Sequence, residues 1–398
     1  MTDFQTLEDK YCSINYEKLP VTITKGMGVY LYDEKGNEYL DFLSGYSVIN
    51  QGHTHPRLIK AATEQLNKLT LCSRSFTNDK LAEFSEFICT RLGYEKVLPM
   101  NTGAEATETA IKIARKFAYE IKGIPANQAK IVVMHNNFMG RTMGAISGST
   151  DYNSYHNFGP LTGGFATIPF NDVFAVKNIL QDLTVCAVLI EPVQGEAGVF
   201  VPDNGYLKTV SNLCKQANVL FIADEIQCGM GRSGKFLACD YEEVKPDLLL
   251  LGKAITGGVT ALSVVLGSSE IISLLKPGMH GSTYGGNPLT CAVAIEAIKI
   301  IDEEKLTENA FEMGELFRNE IAKHLNGKVR AVRGKGLLNA IAFNESIETT
   351  NFCHELFHHG LLAKPTRNNA VRFTPPLIIT NKEMQKGLQI ISQTLNHL

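Results

Sequence analysis

Apolar residues in this chain come in short unbroken runs, spaced by stretches with helical periodicity. Leu248-Leu249-Leu250-Leu251, bounded by Pro246 and Gly252, is too short for a helix with an exposed face. It predicts a strand buried on both faces of a parallel sheet. Residues 219–227 form a second such run, which ends in acid at Asp224 and Glu225. Residues 131–134, 185–190 and 262–266 repeat the pattern, and a helical segment over 207–216 feeds the strand that ends at Asp224. This βαβ rhythm predicts a mostly parallel, helix-flanked sheet. Ahead of it, residues 28–33 and 38–42 flank the turn Glu34-Lys35-Gly36-Asn37 and predict a β-hairpin. Residues 1–20 are polar and mixed, and read as an arm. Residues 96–100 predict a strand that runs into Thr102-Gly103-Ala104 and a helix through about Phe117. A long helix from Leu289 to about Glu304 then opens a smaller α+β region, with strands expected at 334–342 and 370–376. The expected division is an arm and hairpin over 1–40 packed with the small domain, a large domain over 41–288 and a small C-terminal domain over 289–398. There is no tandem repeat.

Composition narrows the class without changing this picture. A chain of 398 residues, 44% hydrophobic, 20% charged and of net charge −3, is ordinary for a globular protein with a large core. No basic block points to nucleic acid, and no apolar run is long enough for a membrane span. Residues 1–5 lack the positive-then-apolar pattern of a secretory leader. Nine cysteines, scattered and odd in number, argue against a disulfide framework and for a reducing cytoplasm. Cys228 reads as a small buried thiol. His53 and His55 have no third ligand nearby, so loop hydrogen bonding is expected of them and no metal site is.

The chemistry collects at the carboxyl ends of the predicted strands, where open α/β sheets place their ligands. Lys253 follows the leucine strand directly, where partial desolvation would lower its pKa and suit it to Schiff-base formation. By itself it reads more readily as a strand-end lysine in water. Asp224 ends the neighbouring strand and alone could be a helix cap. Together they are what pyridoxal phosphate needs, a lysine for the carbonyl carbon and a carboxylate to keep the pyridine nitrogen protonated. Gly103 and Ala104 open a helix and leave backbone N–H groups free for an anion, or simply follow a Thr102 cap. Phe138, Arg141, Glu191, Glu196 and Gln227 share the same edge; each has a bland alternative as core, surface ion pair or solvated loop acid.

Several motifs then resemble one family. They are Tyr46 in Phe-Leu-Ser-Gly-Tyr-Ser, Asn50-Gln51-Gly52-His53, residues 98–105, Glu191-Pro192-Val193-Gln194-Gly195-Glu196, Ala223-Asp224-Glu225-Ile226-Gln227, Leu251-Gly252-Lys253-Ala254, residues 280–288 and Val332-Arg333-Gly334-Lys335-Gly336. Over essentially its whole length the chain resembles the class III aminotransferases, fold type I among pyridoxal-phosphate enzymes. Asn15-Tyr16, Tyr46 and the combination of Glu196 with Arg372 narrow the resemblance to the ornithine δ-aminotransferase branch. Two places depart from that branch: Cys12-Ser13-Ile14 stands where Gly-Ala-His is usual, and Thr260-Ala261 where an aromatic-Pro pair is usual.

The resemblance implies an α/β fold and an enzyme that moves the δ-amino group of L-ornithine to 2-oxoglutarate in two half-reactions. It implies pyridoxal 5'-phosphate held by Gly103, Ala104, Phe138, Asp224, Ile226, Gln227 and Lys253, with Ser282 and Thr283 reaching the phosphate from a second subunit. A homodimer or larger homo-oligomer with shared sites follows. Lys253 and Asp224 would be catalytic, and Tyr16, Tyr46, Arg141, Glu196 and Arg372 would bind substrate. Other ω-amine donors (acetylornithine, lysine, 4-aminobutyrate), racemase chemistry on the same fold, or a protein that binds the cofactor without turnover stay open at this point.

Overall fold

The centre of the protein is a seven-stranded sheet in a computed structural model that describes residues 3–325 and 327–398. Its order is Lys96–Met100, Ser263–Gly267, Leu248–Leu251, Leu220–Asp224, Val185–Ile190, Lys130–Met134 and Phe165–Ile168. Ser263–Gly267 runs antiparallel to both of its neighbours, and the other pairings are parallel. The leucine strand and the strand ending at Asp224 lie side by side in the middle, all nine residues buried. A run of apolar residues without polar alternation can be stable only there, because both sheet faces are covered. Each leucine so buried contributes about 1.5–3 kcal/mol.

The helix Gly103–Lys116 lies against this sheet through Ala106, Ala110, Ile113 and Ala114, all at or near zero exposure. Thr102 caps it with a reciprocal capping box, accepting from the Glu105 N–H while the Glu105 carboxylate accepts from the Thr102 N–H. The helix therefore starts where the Lys96–Met100 strand delivers it, at the carboxyl edge of the sheet.

Two smaller sheets, each of four strands, accompany the large one. The predicted hairpin forms as Tyr30–Asp33 against Glu38–Asp41, and Asp33 closes its turn by accepting from the Lys35 and Asn37 N–H groups. The edge strand Ile23–Met27 extends this sheet. Residues Leu361–Leu362, far along the chain, pair in parallel with Leu40 and Asp41. The third sheet orders Val329–Lys335, Leu338–Phe343, Ala370–Phe373 and Lys364–Thr366, all antiparallel. The run 334–342, expected to be one strand, is thus two. The chain reverses at Gly336, whose φ of 56° lies in the left-handed region that glycine adopts without a Cβ penalty. The long helix spans Pro288–Glu303, with Asn287 as its cap and Pro288 at its first position. The arm contains a helix, Phe4–Tyr11, none of whose residues is buried. Met1, Thr2 and Asn326 lie outside the described residues.

Candidate active site

The register of the two central strands sets the chemistry. Asp224 pairs with Leu250 in the sheet, so the chain that leaves Leu251 brings Lys253 to the same edge as the Asp224 carboxylate. Lys253 itself has φ 46°. A non-glycine residue in that region costs about 1–3 kcal/mol and persists only where its surroundings hold it. The left-handed turn redirects the chain from strand to the short helix Lys253–Thr256.

Around this edge lies a cavity with about 560 Å³ of empty space, lined by Gly103, Ala104, Thr107, Phe138, Met139, Gly140, Glu191, Asp224, Ile226, Gln227 and Lys253. All seven residues that the sequence assigned to the cofactor within one chain are among them. Asp224 is 5% exposed and accepts one hydrogen bond, from the Ile226 N–H at 3.0 Å. Burial pushes its pKa up to about 7, against the lowering effects of that N–H and of Lys253. Lys253 makes no hydrogen bond or ion pair among the described residues. Burial lowers its pKa, Glu196 opposes the shift, and Arg372 adds to it. The pocket therefore offers an acid without a cation and a lysine inclined to be neutral.

The other end is built for an anion. The N–H groups of Gly103 and Ala104 begin a fourteen-residue helix and take no part in the capping box. Close approach there depends on small residues: a Cβ on Gly103 would meet Ile226 at 3.1 Å, and one on Gly140, at φ 121°, would meet the Ala104 Cβ at 2.7 Å. Phe138 is fixed by its N–H, which donates to Glu191 Oε1 at 2.9 Å. An unpaired buried acid, a desolvated lysine and an anion cradle in one cavity fit a phosphorylated, cationic ring bearing a carbonyl group.

Beside this cavity stands the pair expected from sequence. Arg372 Nη1 donates to Glu196 Oε1 at 2.6 Å. Gln227 bridges them, its Nε2 donating to Glu196 at 3.0 Å and its Oε1 accepting from Arg372 at 2.8 Å. The Gln227 amide, expected to help hold the cofactor, is thus engaged by the ion pair. Arg372 is 2% exposed, its Nε–H is buried without an acceptor among the described residues, and its guanidinium lies 5.4 Å from the centre of the Tyr46 ring. Desolvation would raise the Glu196 pKa, but Arg372, Lys253 and Gln227 outweigh it and hold the carboxyl down at about 2.

Arg141 is exposed and donates to Ser154 Oγ at 2.6 Å, and its guanidinium lies 5.5 Å from the Phe138 ring centre. Tyr16 is 62% exposed on the arm, close enough to Tyr46 to help burial raise the Tyr46 pKa. Ser282 accepts from Asn101 Nδ2 at 2.6 Å, Thr283 is exposed, and neither lines the cavity of its own chain. His53 and His55 bond Asp41 and Glu304, at 2.7 and 3.2 Å, as loop residues do. Sequence reasoning left Glu191 without a role. It lines the cavity, and burial first, then the nearby Asp224, pushes its pKa up to about 8. Arg367 escaped notice too. It sits 6.0 Å from the Phe138 ring centre and pairs with Asp151 at 2.8 Å, but no local motif marks it.

The family model for aminotransferase class-III matches residues 11–395. The chain is a class III aminotransferase. This aminotransferase is 52% identical over 388 residues to the mitochondrial ornithine aminotransferase of Drosophila melanogaster, covering 98% of this chain and 90% of that one. The crystal structure of ornithine aminotransferase from Toxoplasma gondii, with PLP at partial occupancy in its active site, superposes with a TM-score of 0.98 at 46% identity. That match covers 99% of this chain and 94% of the other. An acetylornithine aminotransferase from Elizabethkingia anophelis superposes with a TM-score of 0.90 at 47% identity, covering 99% and 98%.

Proposed function

We propose that this enzyme transfers the δ-amino group of L-ornithine to 2-oxoglutarate, giving glutamate 5-semialdehyde, which closes to 1-pyrroline-5-carboxylate, and glutamate. The observation that carries this reading is the Glu196–Arg372 pair, joined through Gln227 to a cavity fitted for pyridoxal phosphate. When bound, that cofactor supplies an electron sink and a carbonyl carbon that carries nitrogen from donor to acceptor. Asp224 would accept a hydrogen bond from its ring N–H, the Gly103 and Ala104 N–H groups would take its phosphate, and Phe138 and Ile226 would flank its ring. Lys253 Nζ, freed when a substrate amine takes its place, would remove the proton from the amine-bearing carbon and return it to the carbon on the other side of the nitrogen, acting as base and then as acid. Burial lowers its pKa, which favours the neutral amine that the base role needs.

Substrate carboxylates decide which amine reacts. Tyr16 and Arg141 would hold the α-carboxylate of ornithine, leaving the δ-amine toward Lys253, while Glu196 masks Arg372. When glutamate or 2-oxoglutarate enters, Arg372 would exchange Glu196 for the α-carboxylate, and Arg141 would take the distal one. An ion pair in a partly desolvated pocket is strong enough to compete with a ligand, yet it can be exchanged. Ser282 and Thr283 of a second copy would complete the phosphate site, which makes the working unit a homodimer; the exposure of Thr283 supports this. All nine cysteines are free thiols, which supports a cytoplasmic location. Some relatives are named as mitochondrial.

The similarity to an acetylornithine aminotransferase favours one second reading, with N-acetylated ornithine as donor. Single-turnover reaction of the holoenzyme with ornithine, N-acetylornithine, lysine and 4-aminobutyrate separates the two. Ornithine should give the largest k/K and a product that condenses with o-aminobenzaldehyde. Preference for the acetylated donor would overturn the reading, and so would more than one equivalent of product per site formed without an oxo-acid acceptor.

A further inference from the structure

One large cation in the core is used by no step above. Arg232 lies in the loop that follows the Asp224 strand, is fully buried, and has no carboxylate partner among the described residues. A buried charge without a counter-ion is costly, and its removal normally relieves the protein. Its bonds indicate what keeps it there. Nη1 donates to the carbonyls of Leu337, at 3.0 Å, and Pro375, at 2.6 Å, while Nη2 donates to Asn50 Oδ1 at 2.5 Å.

Those acceptors bracket the substrate side of the site. Pro375 lies just past the strand Ala370–Phe373 that carries Arg372. Asn50 ends the turn that carries Tyr46, and this turn is strained: Ser44, Gly45, Tyr46 and Ser47 all have positive φ, from 49° to 68°. Backbone of that kind persists only where its two ends are held. Its entrance is held by Thr374, whose N–H donates to Phe42 at 2.7 Å and whose Oγ1 donates to Leu43 at 3.0 Å. Its exit is held at Asn50, which accepts from the Leu377 N–H at 2.8 Å and donates to the Met230 carbonyl at 2.9 Å. Arg232 joins the exit to the Arg372 strand through a single planar group.

We propose that Arg232 is a positioning residue for carboxylate recognition. Its guanidinium fork holds the Tyr46 turn and the Arg372 strand in one register, so that Arg372 meets Glu196 or a substrate carboxylate in the same place. Only a fork with several fixed donors can bridge three acceptors on separate segments; a lysine ammonium keeps the charge but not the geometry. Burial pushes the Arg232 pKa down to about 9; the buried Asp41 carboxylate opposes this shift and Arg372 adds to it.

The inference rests on the reading of Arg372 as a carboxylate receptor, so its test separates carboxylate binding from turnover. The variants are Arg232→Lys and Asn50→Ala, and the second removes a single arm of the network. Holoenzyme of each should capture hydroxylamine, which has no carboxylate, at close to the wild-type rate. The affinity for glutarate should fall about tenfold in Arg232→Lys and by a smaller factor in Asn50→Ala, since hydrogen-bond losses are of this size. In single turnover with glutamate the loss should fall on the apparent dissociation constant rather than on the limiting rate. Glutarate affinity unchanged in both variants would overturn the proposal, as would equal losses with hydroxylamine and glutamate. If Arg232→Lys does not fold, Asn50→Ala decides by the same criteria. Should the wild type fail with ornithine yet bind glutarate, the donor assignment falls and this inference is still judged by glutarate.

Discussion

On the proposed reading, one ion pair, Glu196 with Arg372, sets which amine of the substrate reacts. A bare arginine beside Lys253 would take an α-carboxylate in either half-reaction and favour attack by the α-amine. Glu196→Ala should therefore raise k/K for the glutamate half-reaction relative to the ornithine one, by about tenfold for a charge-assisted bond of this kind. Single-turnover k/K for both donors checks this, and an unchanged ratio would reduce Glu196 to a loop acid. Two other acids, Asp224 and Glu191, have pKa values raised to about 7 and about 8, chiefly by burial. Both titrate near 4 when unfolded. Between those limits the folded apoprotein holds protons that the unfolded chain has released, so its stability falls as pH rises. The melting temperature of the apoprotein should drop between about pH 5 and pH 8. Glu191→Gln should flatten that slope, and scanning fluorimetry at constant ionic strength measures both. A slope unchanged in the variant would place the titration elsewhere.

Among the elements, the helix Gly103–Lys116 and the loop at Gly140 meet with no spare room. Gly140 combines φ 121° with a would-be Cβ contact of 2.7 Å on Ala104, so any side chain there must push the helix start. Gly140→Ala should weaken pyridoxal phosphate binding, by roughly the 1–3 kcal/mol that such strain costs, or about tenfold or more in dissociation constant. Spectral titration of the apoenzyme measures this. Wild-type affinity in the variant would show that Gly103 and Ala104 do not serve the phosphate. The small-residue requirement is a property of two elements in contact, and neither segment alone announces it.

Assembly is tested on the whole molecule. If Ser282 and Thr283 serve the phosphate of a second copy, each site contains residues from two chains. Lys253→Ala and Thr283→Trp chains, each inactive alone, should regain up to about a quarter of wild-type activity when unfolded and refolded together, the share expected of hybrid sites with one intact set. A fully active monomer in sedimentation, or no recovery on mixing, would end the shared-site reading. The free Phe4–Tyr11 helix and exposed Phe76 and Tyr284 belong to the same question, because large aromatic surfaces left open on one chain are commonly covered in an oligomer.

The strands at the core of the sheet were legible in the sequence because continuous apolar runs of four to six residues are stable only when both sheet faces are covered. With them came Asp224 and Lys253, since a residue that ends such a strand must lie at the sheet edge. Edge strands such as Ile23–Met27 and Phe165–Ile168 were not legible: they are short and half exposed, and lack a clear period. The reversal at Gly336 was hidden in a run apolar enough to pass for one strand. Arg367 and Arg232 were equally silent, because an arginine's partners are chosen by packing between segments more than a hundred residues apart. The Glu196–Arg372 pair falls between these cases. Motif resemblance named both residues, but their 2.6 Å contact and the Gln227 bridge depend on how the Ala370–Phe373 strand lies against the cofactor edge. Local patterns settle which residues reach an edge, because burial acts on each segment separately. Only the packing of distant segments settles which charges meet there.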